Sequence, residues 1–146
     1  MNGKRRLLGS FTHGSMANAV PRAIGAQACD HKRQVISLSG DCGVAMLLGE
    51  LLTLKQMKLP VKIVVFNNSS LAFVELEMKA AGILDFGTSL DNPSFAQVAN
   101  AAGLLGIRVE KPEDLQSALT QALAHEGPAP RGRRGPSAGA LDATDN

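Results

Sequence analysis

The stretches VISLSGDCG (residues 35–43) and KIVVFNNSS (residues 62–70) decide how this chain is expected to fold. Each opens with an apolar run that includes β-branched residues and closes in small or polar residues, which predicts strands over residues 34–39 and 61–66. The second run is apolar almost throughout, as in a strand buried on both faces of a parallel sheet. Apolar residues at helical spacing predict a helix over residues 44–57 between them. Strand, helix and strand together predict a βαβ unit.

Asp41 and Asn68 stand where these two predicted strands end. In an open α/β sheet, ligands bind in the crevice beyond the carboxyl ends of the strands. A carboxylate and an amide oxygen suit a hard cation such as Mg²⁺, which proteins usually hold with one or two carboxylates and the phosphates of a ligand. The placement therefore predicts a metal site that holds a phosphorylated ligand.

Further elements are predicted on both sides of this unit. Helical spacing begins at Met16, and Pro21 is tolerable there only in the first turn. Asn92 and Pro93 resemble the N-cap and first residue of a helix that stops at Gly103. A short strand over residues 107–109 and a helix from Pro112 to Gly127 complete the pattern.

The composition of the chain limits the classes of protein to which it can belong. The 146 residues, 45% of them hydrophobic, suit one domain with a core. A net charge of +2 and the absence of Trp and Tyr argue against a nucleic-acid partner. Cys29 and Cys42 lack metal-ligand spacing, which favours a reduced, cytoplasmic setting. No apolar run approaches the ~20 residues that a membrane span needs, and no targeting signal is apparent.

The end of the chain has a different character. Residues 129–146 are rich in Pro, Gly, Arg, Ser and Asp, which predicts a disordered tail. The domain is therefore expected to span residues 1–128. A βαβ order calls for another parallel strand after the last helix, and none is predicted, so the fold is expected to lack its final strand.

These motifs resemble those of a known family. Gly40, Asp41 and Cys42, followed by Asn67 and Asn68, resemble the GDG to NN motif of thiamine diphosphate enzymes. The flanking stretches GSFTHGSMANAVPRAIGAQA and QMKLPVKIVVFNNSSLAFVELEMKA are similar to bacterial pyruvate oxidases and pyruvate:quinone dehydrogenases. The likeness covers residues 3–128 and implies their C-terminal diphosphate-binding domain, a three-layer α/β sandwich with a mostly parallel sheet.

The resemblance implies a set of site residues. The metal ligands would be the side chains of Asp41 and Asn68 and the backbone carbonyl of Ser70, with Asn67 a weaker candidate. Phe73 and Glu77 would lie on the substrate side as catalytic residues. Met16 would prop the cofactor's two rings into a bent shape, the Gly14 carbonyl would hold its amino group, and core packing is the alternative for Met16. The full cofactor-binding set is His13, Gly14, Ser15, Met16, Asp41, Cys42, Gly43, Asn68, Ser69, Ser70, Leu71, Ala72, Phe73 and Val74.

Cys42 departs from the family, which has Gly at this position. If that position needed φ > 0, or an approach too close for a side chain, Cys would cost about 1 kcal/mol or more in strain and weaken cofactor binding. The N–H groups of Cys42 and Gly43 are expected to begin a helix and to point at the diphosphate.

The resemblance also implies a larger parent protein. Its reaction would be the decarboxylation of pyruvate to acetate and CO₂, with thiamine diphosphate, Mg²⁺ and an FAD bound outside this chain. A pyrimidine-binding domain would come from the partner subunit of a homo-oligomer, so this chain alone should be inactive. The parent would be cytoplasmic and could associate peripherally with the inner face of the membrane.

Other interpretations stay open. One is an acetolactate synthase or another 2-oxo acid decarboxylase, and a second is a non-catalytic, vestigial cofactor-binding module. A nucleotide-binding Rossmann domain is weaker, because no GxGxxG follows a strand. Both chain ends look unnatural beside the family. A frameshift is expected near residues 130–135, whose codons, read one nucleotide later, permit Leu-Val-Asp-Val-Val as a closing strand.

Overall fold

The computed structural model describes residues 5–127 and 139–144. Within those ranges a four-stranded sheet lies between helices, as the α/β expectation requires. The elements, in chain order, are α1 (Ala19–Cys29), β1 (Ile36–Gly40), α2 (Asp41–Met46), α3 (Glu50–Met57), β2 (Lys62–Asn67), α4 (Ala72–Ala80), α5 (Phe95–Ala101), β3 (Leu105–Val109), α6 (Leu115–Ala124) and β4 (Gly139–Thr144). A 3-10 turn, Pro112–Asp114, leads into α6.

The sheet is entirely parallel, with the strand order β1-β2-β4-β3. Its main core lies on one face, where α1, α3 and α5 pack against Ile63 and Val65 of β2. A smaller core lies on the other face, where Ala118 and Ala122 of α6 pack against Val109. Helices on both faces of a parallel sheet confirm the predicted three-layer arrangement.

The structure contains a final strand, which corrects the expectation that the fold would lack one. Residues Gly139–Thr144 form β4, which pairs with β2 on one side and with β3 on the other. The segment GALDAT has little β-branched character, so strand propensity did not reveal it. Pairing on both sides satisfies its backbone N–H and C=O groups, and this contribution comes only from the assembled sheet. The rest of the predicted disordered tail, residues 129–138 and 145–146, lies outside the described residues, and so does the segment 130–135 for which a frameshift is predicted.

The helix predicted over residues 44–57 is divided into two. α2 begins earlier, at Asp41, and ends at Met46; Leu47 then leaves helical geometry with φ −127° and ψ 41°. α3 resumes at Glu50, after Gly49. Pro21 does lie in the first turn of α1, as its fixed φ requires.

The strand β2 is not buried equally on its two faces. Ile63 and Val65 are 2% and 1% exposed, whereas Phe66, which faces the other way, is 57% exposed. On that face α6 covers β3 and β4, and no residue of α4 is buried. The prediction of burial on both faces was therefore wrong for the end of β2 nearest the site.

The start of α5 also differs from the prediction. Its N-cap is Ser94, whose side chain accepts a hydrogen bond from the Gln97 N–H, and the first helical residue is Phe95. Asn92 lies two residues too early to cap this helix, and its side chain bonds elsewhere. None of the helices in the described ranges combines the length and apolar character that a bilayer crossing requires.

Lys62 leads to a prediction about stability and pH. Its side chain is buried within the sheet and donates to the backbone carbonyl of His125, and burial lowers the pKa of Lys62 from its ordinary value of 10.5. Because the folded-state pKa lies below the unfolded one, the unfolded chain binds more protons between these two values. The free energy of unfolding should therefore rise with pH across that window.

Lys62→Met should flatten this alkaline rise, as measured by urea denaturation at a series of pH values. Lys111→Met, at an exposed position, should leave the rise unchanged. An equal rise in the Lys62→Met protein would show that Lys62 is not its source.

Candidate functional site

A cavity of about 560 Å³ opens at the carboxyl edge of β1 and β2. Gly40 pairs with Phe66, so Asp41 and Asn67 follow at the same level of the sheet edge. The residues that enclose the cavity come from the segment before α1, from the end of β1 with the start of α2, and from the end of β2 with the start of α4. They are Ser15, Met16, Ala17, Asn18, Ala19, Leu38, Ser39, Gly40, Asp41, Cys42, Gly43, Phe66, Asn68, Ser70, Leu71, Ala72, Phe73 and Val74.

Asp41 is a buried carboxylate, 3% exposed, held by three hydrogen-bond donors. Its Oδ1 accepts from the Cys42 N–H at 2.8 Å. Its Oδ2 accepts from the Ser69 N–H at 2.8 Å and from Asn92 Nδ2 at 2.7 Å. A carboxylate bound in this way has one orientation, which a metal ligand needs.

The two adjacent asparagines have different surroundings. Asn67 is buried, and its Oδ1 accepts from the Ser69 N–H at 3.2 Å and from Asn92 Nδ2 at 3.0 Å. Asn68 is exposed and lines the cavity, and its Oδ1 accepts from the Ser70 N–H at 3.2 Å. The structure thus brings Asn68, rather than Asn67, to the cavity beside Asp41.

Two residues beside the cavity have left-handed backbone conformations that are unusual for non-glycine residues. Ala17 has φ 60° and Ser69 has φ 53°. Such conformations cost on the order of 1–3 kcal/mol each and persist where surrounding contacts hold them. At Ser69 the contact is its N–H bond to Asp41, so the strained turn and the buried carboxylate support each other.

Ser70 connects the turn to the loop that precedes α5. It forms an antiparallel bridge with Ser89, in which the Leu71 N–H donates to the Thr88 carbonyl and the Leu90 N–H donates to the Ser69 carbonyl, both at 2.8 Å. The bridge leaves the Ser70 carbonyl unused. The Ser70 hydroxyl donates to Glu75 at 3.0 Å, and hydrogen bonds from Lys79 and then Ser70 lower the pKa of Glu75.

Other residues predicted to bind the cofactor or the substrate divide into two groups. Ser15, Met16 and Phe73 line the cavity; Met16 is 51% exposed, which argues against core packing, and Phe73 is 74% exposed. The others, His13, Gly14, Ser69 and Glu77, are exposed and do not line it.

Cys42 carries no backbone strain. Among the described residues, those with positive φ do not include Cys42 or Gly43, and Cys42 lies in helix α2. The conditional concern about a left-handed backbone therefore does not apply. Its N–H also differs from expectation, because it donates to Asp41 Oδ1 rather than pointing free into the cavity.

Substitutions at Cys42 should show the preference of a helical residue. Cys42→Gly should be less stable than Cys42→Ala by about 0.5–1 kcal/mol, because glycine loses more backbone entropy on folding. Urea denaturation of the two variants measures this difference. A Gly variant more stable than the Ala variant would instead indicate that position 42 is strained.

Asn92 is the site residue that sequence reasoning missed. It is 51 positions from Asp41 in the chain, yet it donates to both Asp41 and Asn67. An Asn followed by Pro indicates the start of a helix, so the local pattern predicted an N-cap and not a long-range hydrogen bond.

The oxygen atoms around the cavity fit a small, hard cation. Asp41, Asn68 and the Ser70 carbonyl offer one charged and two neutral oxygens, and Mg²⁺ prefers such ligands together with phosphate and water. Among residues 5–127 and 139–144 there is no group of three or more His, Cys, Asp or Glu side chains that could hold a metal. A divalent cation held by one carboxylate would need a phosphorylated ligand to supply the remaining negative charge.

Comparisons with known proteins point to a phosphorylated cofactor, thiamine pyrophosphate. The family model for the thiamine pyrophosphate enzyme C-terminal TPP binding domain matches residues 1–130. YdaP of Bacillus subtilis, named as a thiamine pyrophosphate-containing protein, is 34% identical over 88% of this chain and 22% of its own length. The mitochondrial acetolactate synthase of Schizosaccharomyces pombe is 35% identical over 79% of this chain and 17% of its own length.

A solved structure is similar as well. The thiamine diphosphate-dependent 4-hydroxybenzoylformate decarboxylase of Rhodococcus jostii superposes with a TM-score of 0.78 at 26% identity, covering 91% of this chain and 24% of that one. The chain spans about a fifth of the length of these relatives. The names fit the acetolactate synthase alternative better than the pyruvate oxidase interpretation, and the family match replaces the Rossmann alternative.

Proposed function

We propose that this chain, which belongs to the family of thiamine pyrophosphate enzyme C-terminal TPP-binding domains, holds the diphosphate of thiamine diphosphate through one Mg²⁺. The observation that carries the proposal is Asp41, a buried carboxylate oriented by three donors at the edge of the cavity. Asn68 and the Ser70 carbonyl are the accompanying ligands, because both belong to the turn that Ser69 ties to Asp41.

The other cavity residues have binding and orienting roles in this proposal. Met16, half exposed at the cavity wall, supports the middle of the cofactor, and Phe73 shields the substrate side from water. When bound, the cofactor supplies a nucleophilic carbon and an electron sink next to a substrate carbonyl. Glu77 is outside the cavity wall and would act only from the substrate side of α4, one turn after Phe73.

The parent protein is proposed to act on a 2-oxo acid such as pyruvate. Relatives named acetolactate synthase and a decarboxylase of a benzoylformate, itself a 2-oxo acid, support this class. Pyruvate oxidation with FAD is the second candidate, favoured by the SSLAFVELEMK stretch of residues 69–79. Product analysis of the full-length protein separates them, because acetolactate indicates the first reaction and acetate the second.

Further parts of the proposal concern partners and location. A pyrimidine-binding domain, from a partner subunit of a homo-oligomer, would complete the active site. The protein is proposed to be cytoplasmic, consistent with its free cysteines Cys29 and Cys42.

Calorimetric titration of the 146-residue chain tests cofactor binding. Thiamine diphosphate should bind in the presence of Mg²⁺, and its affinity should fall when EDTA removes the metal. Inorganic pyrophosphate should compete with it for the site. Thiamine, which lacks the diphosphate, should bind far more weakly. Equal affinity for thiamine and thiamine diphosphate, or no dependence on Mg²⁺, would overturn the proposal. Binding without turnover of pyruvate or of other 2-oxo acids by the full-length protein would support the non-catalytic module instead.

A further inference from the structure

We infer that Asn92 is a positioning residue that makes Asp41 a one-oxygen ligand and thereby favours Mg²⁺ over Ca²⁺. The inference rests on the proposed function, since it concerns the cation that accompanies thiamine diphosphate. It adds a residue from outside the two strand-end motifs to the metal site.

The hydrogen bonds of Asp41 show how this works. An ionised carboxylate offers about four lone-pair sites, two on each oxygen. Ser69 N–H and Asn92 Nδ2, at 2.8 and 2.7 Å, use both sites of Oδ2. The Cys42 N–H, at 2.8 Å, uses one site of Oδ1. The one remaining site is on Oδ1, so a cation can be bound through that oxygen alone.

Asn92 is itself held in place from two directions. Its Nδ2 also donates to Asn67 Oδ1 at 3.0 Å, which fixes the side-chain amide over the ends of both strand segments. Its backbone belongs to the loop that the Ser70–Ser89 bridge joins to the turn after β2. The donor therefore stays in position when the cavity contains no ligand.

Binding through one oxygen distinguishes between the two cations. Mg²⁺ requires near-octahedral geometry at short distances, which a carboxylate bound through one oxygen can satisfy. Ca²⁺ takes six to eight ligands at longer distances and often uses both oxygens of a carboxylate. Blocking Oδ2 removes that second contact and so disfavours Ca²⁺ relative to Mg²⁺.

The test compares the affinity of the chain for thiamine diphosphate in Mg²⁺ and in Ca²⁺, by calorimetry, for the wild type and for Asn92→Leu. Leucine has a similar shape but cannot donate. The affinity in Mg²⁺ should fall about 10–100-fold, as for other residues that orient metal ligands. The affinity in Ca²⁺ should fall less, so the ratio of the affinity in Ca²⁺ to the affinity in Mg²⁺ should rise about fivefold or more.

Asn100→Leu is the matched control. Asn100 accepts a hydrogen bond from the Gly106 N–H and donates one to the Gly106 carbonyl, and neither residue lines the cavity. The Asn100→Leu substitution should therefore lower stability without changing the ratio of the affinities measured in Mg²⁺ and in Ca²⁺. If Asn92 contributed to stability alone, Asn92→Leu would lower both affinities equally and leave their ratio at the wild-type value. That result would overturn the inference.

A failure of the proposed function is distinguishable from a failure of this inference. If the wild type binds thiamine diphosphate with neither cation, the proposed function fails. The hydrogen bond from Asn92 to Asp41, on which the inference depends, is then tested by the NMR signals of the Asn92 side-chain amide. The amide proton donated to Asp41 should be protected from exchange and should shift and lose that protection in Asp41→Ala, whereas the proton donated to Asn67 keeps its acceptor. Signals that are unchanged by that substitution would overturn the inference.

Discussion

Replacing Asp41 with alanine is expected to lower the Mg²⁺-dependent affinity for thiamine diphosphate by on the order of 100-fold or more. Asp41 is the only carboxylate that lines the cavity among the described residues, so its removal takes away the only fixed negative charge at the proposed metal site. Calorimetric titration of the variant with thiamine diphosphate and Mg²⁺ measures the loss.

The same substitution should also lower stability. It removes the acceptor of the Cys42 N–H, and it removes one of the two acceptors of the Ser69 N–H and of Asn92 Nδ2, which keep Asn67 Oδ1. A buried donor without a partner costs about 1–3 kcal/mol, and water entering the space reduces this cost. Asp91→Ala is the control, because Asp91 is exposed in the neighbouring loop and should affect neither property. Full cofactor affinity in a folded Asp41→Ala protein would exclude Asp41 as the metal ligand.

Gly106→Ala is expected to destabilise the domain by about 3 kcal/mol. A Cβ atom at this position would lie 2.0 Å from the Ala96 carbonyl oxygen and 2.7 Å from its carbonyl carbon. Both atoms belong to the backbone of α5, so the helix must move away from β3 to make room. That movement would also disturb the two hydrogen bonds between Asn100 and Gly106.

Gly25→Ala provides the matched control for the Gly106 substitution. Gly25 is exposed in α1, and a Cβ there meets nothing within 4 Å. The control should stabilise the protein by about 0.5–1 kcal/mol, because alanine favours the helix. Urea denaturation of both variants gives the comparison. A neutral Gly106→Ala would indicate that α5 and β3 do not approach as closely as described.

Much of the fold was predictable because its signals are local. Each of these signals lies within about ten residues of sequence: the apolar runs of β1 and β2, the turn residues after them, and the helical spacing of α1 and α6. The break between α2 and α3 was not predictable in the same way, since apolar spacing continues through Leu47 and Leu48. Departure from helical geometry at Leu47 has no strong signal in the residue itself.

The candidate site was predictable in its centre and less so at its margins. Asp41, Asn68 and Met16 were expected at the cavity and line it. His13, Gly14 and Glu77 were expected there too, but they do not line it. His13 and Gly14 belong to the irregular segment before α1, and Glu77 lies within α4 one turn beyond Phe73, so none of the three is at the strand ends where the cavity opens.

The sequence by itself determined that parallel strands end in a carboxylate and an amide, because the period of apolar residues and the turn chemistry act between near neighbours in the chain. Only the tertiary structure decided that Gly139–Thr144 completes the sheet between β2 and β3, and that Asn92 reaches across 51 positions to hold Asp41. Both depend on hydrogen-bond partners that are distant in the chain and become neighbours only after folding, so no local pattern of residues reports them.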